Sequence, residues 1–467
     1  MTASQSPLPH PSRRHFLRGL GAAAFGLALA PHARAQGGGR KPNIVFILAD
    51  DLGYGDLGCF GQKHIQTPEL DRLCAEGLKL TSHYAGSTVC APSRYTLLTG
   101  RHIGRSHTIG QAQELPPATQ TLGTVLQAAG YRTACIGKWG LGDKTGLPDK
   151  QGFDHFFGFL DQTRAHWHYP DHVWRNGEQI VLKDNPKTHE HYVHDLFTQE
   201  ALEFIRGSKD APFFLYLPYT LPHAEVLVPE DSQEPYTKTL GDPERPPVTE
   251  PYELKGYNKP RYPRAARAGM ISRMDRDVGR IRALLEELRL DKDTLIVFSS
   301  DNGPTGAGGQ DIRFFNSNGG LRGEKRSLYE GGIRVPTVAW WPGAIRAGTA
   351  SDLPSIFCDW LPTFADLAGA PLAQPVDGVS LAPTLRGRAA EQRDHDVLFW
   401  DYNEGGVTSR FSAARKGKWK LVVDRRNDPV RPELYDLSAD PAEMNDVAAA
   451  HPDVANELLA LMKPWWR

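Results

Sequence analysis

A run of apolar residues, Ile44-Val45-Phe46-Ile47-Leu48-Ala49, stops abruptly at Asp50-Asp51. A short continuous apolar run of this kind reads as a strand covered on both faces. Tyr131 to Ile136 repeats the pattern and ends in Gly137-Lys138-Trp139-Gly140. Phe213 to Leu217 repeats it ahead of Leu221-Pro222-His223-Ala224, and Thr294 to Phe298 ahead of Ser299-Ser300-Asp301-Asn302-Gly303. Val335 to Trp341 predicts one more strand. Helical spacing lies between these runs. Thr67 to Gly77 and Thr119 to Gly130 each close on glycine, and His194 to Arg206 leads into the strand at Phe213. From about Pro263 to Leu288 the apolar positions Met270, Met274, Val278, Ile281, Leu285 and Leu288 step by three and four. Strands alternating with helices predict an α/β fold, a large mixed, mainly parallel sheet flanked by helices. Such sheets bind ligands outside the carboxyl ends of their strands. Asp50, Asp51, Lys138, His223, Asp301 and Asn302 all follow predicted strands at that end, which predicts one shared site.

Three stretches break the rhythm. Val226 to Arg261 is rich in Pro, Glu and Tyr and predicts a long loop or excursion. Beyond Gly387, Val397 to Trp400, Phe411 to Arg415 and Trp419 to Val423 read as short antiparallel strands, with a last helix from about Pro452 to Met462. The expected division is a catalytic α/β domain over residues 36–388 and a small C-terminal α+β domain over 389–467. Residues 1–35 read as a leader: Ser12-Arg13-Arg14-His15-Phe16-Leu17 is a twin-arginine pattern, Gly19 to Ala30 an apolar segment too short to span a bilayer, and Ala33-Arg34-Ala35 a cleavage site. No lipid-acceptor cysteine follows. The expectation is a soluble periplasmic or secreted product, handled by the twin-arginine export machinery, with no stable membrane insertion of the mature chain.

The formal charge is −1 and becomes −5 without the leader, which carries four arginines and no acid. No basic field suggests nucleic acid, so any anionic substrate must be held by local cations. The five cysteines, Cys59, Cys74, Cys90, Cys135 and Cys358, form neither a CxxC pair nor a dense framework, and none can be paired from the sequence.

Cys90-Ala91-Pro92-Ser93-Arg94 precedes Tyr95-Thr96-Leu97-Leu98-Thr99-Gly100. Pro92 is a good first helical residue, which sets Cys90 just before a helix N-terminus. A lone cysteine there is ordinarily a buried thiol. Asp50, Asp51, Asp301 and Asn302 offer only oxygen, a donor set for a hard divalent cation such as calcium. Arg164 to Trp174 is dense in aromatic and imidazole groups and reads equally as a pocket wall or a packed surface loop.

Taken in order, these motifs resemble those of the type I, formylglycine-dependent sulfatases, an arylsulfatase-like family of the alkaline-phosphatase-like superfamily. The resemblance covers C-x-P-S-R…T-G at Cys90, the opening at Asn43 to Gly61, G-K-W at Gly137 and D-N-G at Asp301. It continues through K-x4-E-G-G-x-R-x-P from Lys325 to Pro336 and L-Y-D-L…D-P-x-E from Leu434 to Glu443. It implies that a formylglycine-generating enzyme oxidises Cys90 to an aldehyde residue. One calcium ion per chain is then held by Asp50, Asp51, Asp301, Asn302 and the oxygen of residue 90. The hydrated aldehyde attacks sulfur and later expels sulfate as the aldehyde re-forms. Arg94 orients this shell, Lys138 and Lys325 contact sulfate and diol, and His223 donates a proton to the leaving oxygen. The implied reaction converts an aryl or carbohydrate sulfate to an alcohol and inorganic sulfate, and the partner is a sulfated small molecule or sulfated carbohydrate. Two alternatives stay open: a phosphonate monoester or phosphodiester hydrolase, and a non-catalytic sulfated-glycan-binding protein. Gly140 departs from the pattern, because many members carry His there. His107, His166 and His168 are candidates to substitute, and Gln162 stands at a position that supports sulfate in the family.

Overall fold

The computed structural model describes residues 41–106, 114–242, 257–258, 260–403, 410–426 and 429–466. The leader and His107 lie outside these residues, as does most of the second half of the 226–261 stretch. Among the described residues, no helix is long and apolar enough to cross a membrane.

The apolar runs form a ten-stranded sheet. Its order is Thr349–Ser351, Leu78–Leu80, Thr337–Trp340, Thr294–Ser300, Asn43–Ala49, Phe213–Pro218, Arg132–Lys138, His155–Phe159, His172–Arg175 and Glu178–Val181. The five strands from Thr294–Ser300 to His155–Phe159 run parallel. Thr337–Trp340 pairs antiparallel with both of its neighbours, and the far edge is an antiparallel hairpin. The sheet is therefore mixed and mainly parallel.

Strand periodicity divides the central residues between two cores. Val45, Ile47 and Ala49 join Leu215 and Leu217 on one face, beneath Met270, Met274, Val278, Ile281 and Leu285 of the helix Pro263–Glu287. Ile44, Phe46 and Leu48 join Phe214 and Tyr216 on the other, against Leu97, Leu98, Trp360 and Phe364. Both faces of Asn43–Ala49 are buried, as its unbroken apolar run predicts. Gly137 shows how tightly the central strands approach. Its φ is 131°, and a Cβ there would stand 2.1 Å from the Pro218 carbonyl oxygen.

Register aligns the chemistry. Ala49 pairs with Ser300 and Leu48 with Pro218, so the next residues, Asp50 and Asp301, leave the sheet side by side. Lys138 is the last residue of its own strand, opposite Phe159.

The C-terminal segment forms a four-stranded antiparallel sheet, Leu398–Asn403, Arg410–Lys416, Trp419–Asp424 and Arg431–Asp436. Three of its strands match the predicted ones, and the fourth was not predicted. Leu398, Trp400, Tyr402 and Val422 pack on Tyr84, Val89, Leu328 and Ile333. Alternate residues Phe399, Leu421, Val423 and Leu434 pack on Leu458 and Met462 of the helix Pro452–Met462. The predicted excursion at 226–261 contains a helix, Glu230–Thr237, laid against Pro263–Glu287. Its Pro235 is interior, which hid it from a reading by composition.

A buried ion cluster joins the small sheet to the short helix Glu330–Ile333. Lys420 Nζ lies 2.9 Å from Glu330 Oε1 and 2.9 Å from Glu443 Oε1, all three side chains fully buried. Tyr84 donates to Glu330 Oε2 at 2.7 Å. The E-G-G-x-R and D-P-x-E motifs thus contribute carboxylates to a structural joint away from the strand-end site. Lys420→Met should cost about 3–5 kcal/mol, because it leaves two buried carboxylates short of a cation. Chemical denaturation checks this, and a loss below about 1 kcal/mol, the range of a surface pair, would contradict it.

Candidate active site

Four strand ends, one helix and one loop deliver the site. The helix is Cys90–Thr99, introduced by extended Val89 and closed by left-handed Gly100. It begins at Cys90, two residues earlier than Pro92 suggests. Proline is tolerated throughout a first turn whose N–H groups have no intrahelical partner. Cys90 and Arg94 are four apart and share a helix face. Every residue of this helix is buried.

The side chains meet in one cluster. Arg94 Nη2 is 3.0 Å from Asp50 Oδ2 and 2.8 Å from Asp301 Oδ2, while Arg94 Nε donates to Asp301 Oδ2 at 3.1 Å. Lys138 Nζ lies 2.6 Å from Asp50 Oδ2. Lys325, from the loop before the short helix Glu330–Ile333, lies 2.6 and 2.8 Å from the two oxygens of Asp51 and 3.3 Å from Cys90 Sγ. Cys90 Sγ is 3.2 Å from Asp50 Oδ1. His223 Nε2 is 3.3 Å from Asp51 Oδ2. Asp50, Asp51, Cys90, Arg94, Lys138, His223, Asp301 and Lys325 therefore sit in one buried place, with Asn302 bonded to Asp51.

Electrostatics follow from burial and balance. Burial pushes the Asp50 carboxyl up, but Lys138, His223, Arg94 and Lys325 together hold it well below the usual carboxylate range. Burial and the Asp50 charge push Asp301 up. Burial works against charge on Lys138 and Lys325 too, yet the carboxylates raise both above an ordinary lysine, so both are ammonium ions. Burial, then Asp301 and Asp50, push the Cys90 thiol up. As an unmodified thiol it stays protonated and is a poor nucleophile.

The carboxylate and amide oxygens of the cluster fit a hard cation. Asp50, Asp51, Cys90 and His223 each bring a ligand atom within 4.8 Å of the others. Asn302 Nδ2 donates to Asp51 Oδ1 at 2.7 Å, which leaves Asn302 Oδ1 buried without a hydrogen-bond partner. A buried orphan carbonyl beside carboxylates is what a divalent cation would complete. Asp301 stands beside this group, with Oδ1 taken by the Asp51 N–H at 3.2 Å and Oδ2 by Arg94.

The surrounding loops separate the predicted substitutes for Gly140. His168 is fully buried and its Nε2 binds the His223 carbonyl oxygen at 3.1 Å, so it supports backbone. His166 stacks its ring 4.2 Å from that of His223. Gly140 has φ 70°, unfavourable for a side chain, and Gln162 Oε1 lies 2.8 Å from where its Cβ would be. Gln162 therefore fills the room that a histidine would need. Sequence reasoning missed Glu225, a buried carboxylate that accepts from His168 N at 3.0 Å and Asn258 Nδ2 at 2.7 Å, and whose own N–H binds the His166 carbonyl at 2.9 Å. Burial pushes its carboxyl up to about 7. It ties three segments around His223, and its one sequence signal is its place two residues after that histidine.

Comparison with known proteins points the same way. A family model described as Sulfatase matches residues 42–370, and one described as N-sulphoglucosamine sulphohydrolase, C-terminal, matches residues 322–463. The chain is 34% identical over 411 residues to an N-acetylgalactosamine-6-sulfatase of Sus scrofa, covering 82% of this chain and 72% of that protein. It is 32% identical over 501 residues to human arylsulfatase A, covering 94% and 89%. Among solved structures, BT4656 in complex with its substrate D-glucosamine-2-N,6-O-disulfate superposes with a TM-score of 0.72 at 25% identity, covering 91% of this chain and 97% of that one.

A divalent cation at Asp50, Asp51, Asp301 and Asn302 should stabilise the fold. Calcium added to chelator-stripped protein at about 100 times its dissociation constant should contribute about 2.7 kcal/mol, seen as a raised melting temperature. Asp51→Asn should lose that response. An equal calcium shift in the variant would contradict this assignment.

Proposed function

Because the chain belongs to the sulfatase family and is a sulfuric ester hydrolase, we propose that its nucleophile is a formylglycine made from Cys90, working beside one calcium ion. The placement of Cys90 carries this reading. Its Sγ lies 3.2 Å from Asp50 and 3.3 Å from Lys325, at the centre of the cluster, in a setting that keeps a plain thiol protonated. The hydrated aldehyde would supply the attacking oxygen, and the cation, held by Asp50, Asp51, Asp301 and Asn302, would supply positive charge facing the sulfate.

The chain's own residues do the rest. Arg94 pins the Asp50 and Asp301 carboxylates, so neither drifts toward the ammonium groups. Lys138 and Lys325 remain charged and offer N–H donors to sulfate oxygens. The two nitrogens of His223 face acceptors, the Asp51 carboxylate and the Ala224 carbonyl, but burial first, then Lys325, holds the ring well below the ordinary histidine range, so it rests neutral with one N–H. A proton held there at the edge of the cluster is available to a leaving oxygen. Asp50, Asp51 and Asp301 face Arg94, Lys138 and Lys325, so the cluster is neutral by itself. A dication then leaves an excess that a sulfate ester and an ionising diol oxygen can neutralise.

The substrate is an aryl or carbohydrate sulfate, as the names of the relatives suggest. The Arg13-Arg14 leader fits export of the folded chain to the periplasm or beyond. Cys90→Ala, expressed with its leader, should be exported and cut after Ala35 like wild type yet release no sulfate from an aryl sulfate. Parallel assay on the matched phosphate ester should show wild type preferring the sulfate. Undiminished turnover by the purified variant would overturn the nucleophile assignment.

A further inference from the structure

Two imidazoles face each other beside the cluster, and they are differently committed. His223 is buried, with Nε2 toward Asp51 and Nδ1 bonded to the Ala224 carbonyl. His166 is only half-buried, so it lies on the solvent side of the pair. Its Nδ1 is 3.0 Å from the Tyr257 hydroxyl, and its Nε2 has no hydrogen-bond partner among the described residues. Burial first, then His223 and Lys138, hold this ring well below the ordinary histidine range, so it is neutral. Where the Tyr257 O–H donates to Nδ1, the neutral ring carries its one proton on Nε2. Tyr257 also lies against Trp167, with ring centroids 5.9 Å apart, so the imidazole is flanked by aromatic surface.

Polarity along the site dictates what this donor meets. The sulfate end is fixed at Cys90, Asp50 and the lysines, all buried. The alcohol part must extend toward solvent, past His223 and then past His166. An uncommitted N–H donor beside aromatic rings suits a sugar, whose hydroxyls accept hydrogen bonds and whose C–H faces pack on rings. A simple aryl group offers no such acceptor.

We propose that His166, oriented by Tyr257, is a specificity-determining residue whose Nε2–H donates to a hydroxyl or amide oxygen of a carbohydrate alcohol, so that the site selects sulfated sugars over simple aryl sulfates. This rests on the sulfatase reading. The test first screens wild type against 4-nitrophenyl sulfate and a panel of defined monosulfated monosaccharides. It then compares His166→Ala and His166→Phe on 4-nitrophenyl sulfate and on the best sugar. The Phe variant keeps a ring against His223 and lacks the nitrogen. Loss of one hydrogen bond should lower kcat/KM for the sugar about tenfold in both variants, mostly through KM, and change the aryl sulfate less than about twofold. Equal losses on the two esters, no loss on the sugar, or a Phe variant equal to wild type would overturn the proposal. So would a wild type that cleaves the aryl ester and no sugar. A wild type that cleaves neither ester would instead count against the sulfatase reading.

Discussion

Six charges are buried at one edge of a sheet, and their mutual compensation is the constraint on which the rest depends. Burying a single unpaired charge costs several kcal/mol, and breaking a buried pair is costlier than never having built it. Asp50, Asp51 and Asp301 therefore require Arg94, Lys138 and Lys325 at hydrogen-bonding distance. Those distances are set by strand register, because Ala49 opposite Ser300 places Asp50 next to Asp301. The positions that make the site chemically useful are thus the positions that make its burial tolerable.

Lys325 is the one of these six charges on a long loop, and a second buried ion cluster holds the chain segment that follows it. Glu330 follows Lys325 by one and a half helical turns' worth of sequence and is clamped by Lys420 from the C-terminal sheet. Leu328 and Ile333 pack into the same apolar cluster as Trp400 and Tyr435. The small sheet can therefore be understood as a buttress that fixes the loop carrying Lys325. This gives a physical reason for motifs far apart in sequence to occur together.

The parallel strands were legible because strands buried on both faces are apolar throughout. The site was legible because its residues follow those strands directly. Edge elements were harder. The Arg431–Asp436 strand contains Pro432 and Glu433, which an edge position tolerates, so its sequence does not read as a strand. The His172–Val181 hairpin is partly exposed and carries mixed residues. The choice among His107, His166 and His168 could not be made from spacing, because it depends on which loop folds over His223. Glu225 could not be found at all, since its role comes from three chain segments meeting in space.

The account is tested most directly by the mass of the tryptic peptide that spans Leu80 to Arg94, taken from active, exported protein. Conversion of the thiol to an aldehyde lowers that peptide by about 18 mass units, as expected for a residue turned into a covalent catalyst. A peptide of unchanged mass in fully active protein would show that Cys90 works, if at all, as a thiol, and would contradict the central claim.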